Sequence, residues 1–131
     1  ILLELVSQAA RLAPKAHPEI VEMHHARKRD SPSGTAIALA EAISGSRGGT
    51  TVHGRSGDCG PRSSEEIGIH ALRGGDVVGD HRVVLALDGE RLELGHVATS
   101  RKAFSDGALA AARWVTSQPP GLYSMGDVLG F

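Results

Sequence analysis

The sequence predicts an α+β domain, a mixed, mostly antiparallel open sheet with helices packed on one face. Apolar residues at helical spacing open the chain, and strand-like runs fill its second half. An Asp88-Gly89 pair joins two of those runs as a hairpin. The 131 residues suit one domain. A chain of this length buries roughly two-thirds of its unfolded surface and folds without staples.

Leu2, Leu5, Val6, Ala9 and Leu12 recur at helical spacing across residues 1–12, and Pro14 ends that helix. Ile1 already lies inside the apolar pattern, so the natural start of the helix is expected upstream of it. Residues 19–23 read as a short strand, and residues 35–43, made of strong helix formers, as a second helix. Residues 44–64 are Gly-rich, with a short strand near 51–55 and loop elsewhere. Residues 66–73, 81–87 and 91–98 are strand-like, with a turn at Gly74-Gly75-Asp76. Residues 104–115 form a third helix, stopped before Pro119-Pro120, and the tail 121–131 holds a short DVLGF segment. Strand 81–87 is apolar on both parities, with Val83, Leu85 and Leu87 on one side and Val84 and Ala86 on the other. A sheet with one wet face alternates more cleanly. Both faces are therefore expected to be covered, one by helices and the other by another subunit.

Composition narrows the function. With 22% charged residues and a net charge of −1, the chain does not bind nucleic acid or a membrane surface by bulk charge. No run of 18 apolar residues is present to span a bilayer. The single Cys59 excludes an internal disulfide and fits a reducing, cytoplasmic compartment. The seven histidines show no metal-ligand spacing, so no metal is expected. These residues contain no GxGxxG, P-loop, CxxC or HExxH.

The chemistry concentrates in residues 22–35, EMHHARKRDSPSGT. The segment leaves a strand, passes His24 and His25 and a basic run at Arg27, Lys28 and Arg29, then enters a helix at Thr35. Strand residues alternate faces, so the two histidines share a pocket only if the strand has ended; otherwise they have different jobs. Ser33, Gly34 and Thr35 offer free backbone N–H groups at a helix start, where the dipole favours an anion. With Lys28 nearby, this makes a carboxylate or phosphate site beside a group that moves protons near neutral pH. Taken singly, the Ser-Pro-Ser-Gly-Thr run is also an ordinary N-cap, the histidine pair a surface pair and the basic run a solvated face.

The run EMHHARKRDSPSGTA resembles the signature of the dihydrodipicolinate reductase (4-hydroxy-tetrahydrodipicolinate reductase) family of diaminopimelate and lysine biosynthesis. The similarity continues through EIGIHALRGGDVVGDH, GERLELGHVATSR and PGLYSMGDVLGF, and so covers nearly the whole chain. Ser31 stands where many members carry alanine. The resemblance implies that residues 1–131 are the C-terminal, substrate-binding and oligomerisation domain. Residues 105–131 resemble the segment that returns to a nucleotide-binding domain absent from this sequence. It further implies a homotetramer that reduces a cyclic dicarboxylate with NADH or NADPH. By the same resemblance His24 and Lys28 are catalytic, with His24 the proton donor. His25, Ser33, Gly34 and Thr35 bind substrate, and Arg101 and Phe104 approach the cofactor. The alternative is a non-catalytic assembly or ligand-binding fragment.

Overall fold

Helices form where apolar residues recur on one stripe, and strands where β-branched residues sit between turns. The computed structural model describes residues 1–131. Its elements are α1 (Leu2–Leu12), β1 (His17–His24), α2 (Gly34–Arg47), β2 (Thr50–His53), β3 (Glu66–Arg73), β4 (Gly79–Leu87), β5 (Glu90–Ala98), α3 (Lys102–Val115) and α4 (Met125–Leu129). The five strands form one sheet in the order β2-β3-β1-β4-β5. β1 pairs β4, and β4 pairs β5, antiparallel. β1 and β2 both run parallel to β3. The pairing is therefore evenly mixed, where the hairpin signals alone pointed mainly to antiparallel neighbours. The reason lies in the connections: α2 carries the chain back from β1, and the Gly-rich residues 54–65 do the same between β2 and β3.

The core lies between α1, α2 and one face of the sheet. α2 buries Ala36, Leu39, Ala40 and Ile43, the i, i+3, i+4, i+7 stripe of an amphipathic helix. These residues pack with Ile20, Ile67, Ile69, Val83 and Leu85 from the three central strands. α1 turns a different stripe inward from the one its spacing suggests. Val6 and Ala10 are fully buried, and Leu2, Ala9 and Ala13 pack against the core. Leu5 and Leu12 face outward, at 47% and 87% exposure. The small alanines let α1 approach α2 closely enough for Ser7 Oγ and Ser46 Oγ to bond at 2.9 Å.

The opposite face of the sheet carries no helix. Leu72 and Val97 lie exposed there at 48% and 66%, beside the half-buried Val21, Met23 and Val84. Within this chain the second covering that strand 81–87 led us to expect is missing. α3 likewise buries no residue and packs mainly on α4, with Trp114 edge-on to Tyr123 at 5.1 Å.

The open face also holds the anchor of the 54–65 loop. The Glu19 carboxylate accepts from Arg62 Nε at 2.9 Å and from Arg55, and contacts His70 Nε2 at 2.7 Å. Gly68 is its register partner on β3, and a Cβ there would land on the Glu19 carboxylate. Gly68→Ala is therefore expected to cost about 1–3 kcal/mol in chemical denaturation. In a Glu19→Ala background the cost is expected to shrink by at least about 0.5 kcal/mol. Equal costs in both backgrounds would contradict this contact.

Candidate functional site: a carboxylate-linked imidazole at a helix start

β1 ends at His24, and its last main-chain bonds are made to the β3–β4 turn. The Gly74 N–H donates to His24 O at 3.0 Å, and the Ala26 N–H to Gly75 O at 3.2 Å. His25 is thus already off the strand, so strict alternation no longer governs where its ring lies. Alternation puts Pro18, Ile20, Glu22 and His24 on the helix-covered face. Glu22 is completely buried there.

One carboxylate organises the region. Glu22 Oε2 lies 2.6 Å from His24 Nδ1, and Glu22 Oε1 accepts from the Ser33 N–H at 2.9 Å. Arg73, at the end of β3, grips both oxygens at 2.8 and 2.9 Å. Arg73 also donates to the Asp30 carbonyl at 2.7 Å, which fastens the loop between β1 and α2. Burial alone would raise the Glu22 pKa. The hydrogen bonds from Arg73, His24 and the Ser33 N–H outweigh it and hold the carboxyl below its ordinary range.

The first turn of α2 is built around Ser33. Its hydroxyl accepts from the Ala36 N–H at 3.2 Å as the N-cap and shares a 3.0 Å hydrogen bond with His81 Nε2. Ser33 is only 2% exposed, and both its N–H and its hydroxyl are used internally. The three free N–H groups expected from sequence therefore narrow to two. Gly34 and Thr35 are exposed, and no protein group accepts from their N–H groups. A helix start with two unpartnered N–H groups remains, one residue further along than the cap itself.

The flanking groups differ in state. His81 meets His24 edge-on at 5.1 Å and is 6% exposed. Burial, with the nearby His24 charge, lowers its pKa to about 4, so it is neutral at working pH. Partial burial pushes His25 down as well, reinforced by the charges of Arg27, Arg101, His24 and Lys28. Its Nδ1 is buried without a hydrogen-bond partner. Lys28 Nζ sits on the Asp30 carboxylate at 2.7 and 2.8 Å. Arg101 precedes α3, close enough for its charge to reach His25. Phe104 stands 57% exposed on the first turn of α3 and makes no aromatic pair.

Sequence reasoning did not assign Glu22, Arg73 or His81. Glu22 had a signal, since i and i+2 on a strand share a face with His24. Arg73 and His81 had none, because they reach the site only through the register of β1 with β3 and β4. No group of three or more metal-ligating side chains is assembled.

The fold and site define an α+β domain in which one buried carboxylate joins the imidazole at the end of β1 to the start of α2. A family model described as dihydrodipicolinate reductase, C-terminus, matches residues 1–129, and the chain belongs to that family. It is 57% identical over 116 residues to a 4-hydroxy-tetrahydrodipicolinate reductase of Akkermansia muciniphila, covering 86% of this chain and 47% of that protein. The same enzyme of Methanocaldococcus jannaschii is 56% identical over 114 residues, covering 86% of this chain and 42% of its own length. A dipicolinate-bound dihydrodipicolinate reductase from Paenisporosarcina superposes with a TM-score of 0.75 at 26% identity, over 96% of this chain and 49% of that one. The chain spans about half the length of the curated relatives it matches.

The buried histidine gives a pH prediction. Unfolded His81 takes up a proton near 6.5, whereas the folded one waits until about 4. Stability is therefore expected to fall by about 3 kcal/mol as pH drops across that window. Glu19, held at about 2 against 4.5 by Arg55, Arg62 and His70 in spite of its burial, adds a second loss between 4.5 and 2. Denaturation at stepped pH should show both phases. His81→Gln is expected to flatten the upper phase and leave the lower one.

Proposed function

We propose that this chain is the substrate-binding and assembly half of a reductase that converts 4-hydroxy-tetrahydrodipicolinate to tetrahydrodipicolinate in diaminopimelate and lysine biosynthesis. The observation that carries the reading is the single Glu22 carboxylate, which ties the ring of His24 to the start of α2. A cyclic dicarboxylate and a proton donor are brought together by that link.

The charge types suit a dianion. One carboxylate is received by the Gly34 and Thr35 N–H groups and the Thr35 hydroxyl at the positive end of α2. Lys28 shifts from Asp30 onto the ligand, and the ring of His25 adds a further contact. A reduced nicotinamide, NADH or NADPH, supplies the hydride when bound. The residues here that suit it are Arg101, whose charge reaches His25, and the exposed ring of Phe104. The hydroxyl and a hydrogen of the adjacent ring carbon leave together as water with formation of a C=C bond, hydride addition to that unsaturated ring would give an enamine-like carbanion, and His24 protonates its carbon. Lys28 serves as a second proton source. These residues contain no GxGxxG loop to hold the cofactor's pyrophosphate.

Assembly follows from the bare sheet face. Leu72, Val97, Val21, Met23 and Val84 form an apolar surface crossed by Arg82 and Glu93, and a homotetramer would cover it face to face. A cytoplasmic setting goes with this reading, as does the single exposed thiol of Cys59.

Calorimetry with dipicolinate tests the site. Thr35→Ala and His25→Ala are each expected to weaken binding about tenfold, the loss of one hydrogen bond to a charged group. Unchanged affinity in both would refute the site. Mixed with NADPH and substrate, the 131-residue chain alone is expected to bind without turnover, and turnover at an ordinary enzymatic rate would overturn the division of labour. Light scattering should find tetramers that Val97→Glu breaks into smaller species.

A further inference from the structure

We infer that Glu22, clamped by Arg73, is a positioning residue for proton transfer. It fixes the His24 ring with its hydrogen on Nδ1 and leaves Nε2 as the nitrogen that exchanges the reaction's proton. The inference rests on the reading of His24 as the donor.

The direction of the bond follows from inventory. An ionised carboxylate only accepts, and Arg73 and the Ser33 N–H only donate. Glu22 therefore receives four hydrogen bonds on two oxygens: two from Arg73, one from Ser33 and one from His24 Nδ1 at 2.6 Å. That contact requires a hydrogen on Nδ1 in the neutral ring as well as in the charged one. A carboxylate this deeply buried is tolerated only because its lone pairs are filled. Its geometry is consequently set by β3 and α2 rather than by His24, and the ring conforms to it.

The far edge of the ring is kept clear. A Cβ at Gly79 would come within 3.0 Å of His24 Nε2, so the glycine leaves that nitrogen uncrowded. The neighbouring His81 Nε2 is occupied by Ser33 Oγ at 3.0 Å and makes no claim on it. The arrangement follows the carboxylate–imidazole logic of acid–base enzymes, in which a buried acid selects the tautomer of the working histidine.

The test is nitrogen-15 NMR of the histidine rings of this chain at about pH 9, above the ordinary histidine range. Wild-type His24 is expected as the Nδ1–H tautomer. In Glu22→Gln the amide keeps its oxygen on the Ser33 N–H and Arg73 Nη2 and turns its NH2 group to His24, giving up the Arg73 Nη1 bond, and the Nε2–H tautomer is expected to become the majority form. A wild-type ring found as Nε2–H overturns the inference, and that reading needs no variant to fold. An unaltered tautomer in a folded Glu22→Gln protein overturns it too. Absence of dipicolinate binding by the wild type would sink the substrate site and leave the tautomer result standing, so the two failures are separable.

Discussion

A buried carboxylate must be surrounded by donors, and that requirement shapes the working end of this domain. Glu22 has no exposed surface. Its donors come from three places far apart in sequence or conformation: the end of β3, the N-terminus of α2 and the last residue of β1. Losing any one donor would leave part of a charge unpaired in a poorly hydrated site. Strand, helix and loop are thereby held in one arrangement.

Topology explains why such a meeting occurs at this end of the sheet. β1 and β3 run parallel, so their carboxyl ends, carrying His24 and Arg73, finish side by side. The connection that makes this possible runs through the loop 25–33 into α2, whose start lies at the same end of the sheet as the end of β1. A helix N-terminus, with its unpaired N–H groups, is thus delivered to the same edge as the two strand ends. β4 runs the other way and begins there, contributing Gly79 beneath the ring and His81 beside it.

The two faces of the sheet divide the remaining work. One is filled by α1 and α2 and holds the core. The other has its own charge cluster, with the half-buried Glu19 pinning the 54–65 loop through Arg55 and Arg62, but it leaves apolar strand residues uncovered. α3 and α4 form a separate pair with an apolar crevice of about 300 Å³ lined by Trp114, Val115 and Tyr123. Both surfaces are those of a chain that spans about half of its relatives' length.

Local patterns were legible without coordinates. Gly and Pro punctuation, the Asp88-Gly89 hairpin and the strong helix formers of α2 placed nearly every element, because each depends on neighbours within a few residues. The Ser33 cap and the exposed Gly34 and Thr35 are equally local, and so were visible. The inward stripe of α1 was not, since the partner helix chooses which of several apolar residues to bury. Nor was the even mixture of strand directions, the double use of Ser33, or the clamp on Glu22. Those depend on residues such as Arg73 and His81, brought to β1 by strand register across some fifty residues of chain. Short-range chemistry is written in adjacent letters, whereas a pairing of distant strands is decided by burying the whole apolar surface at once.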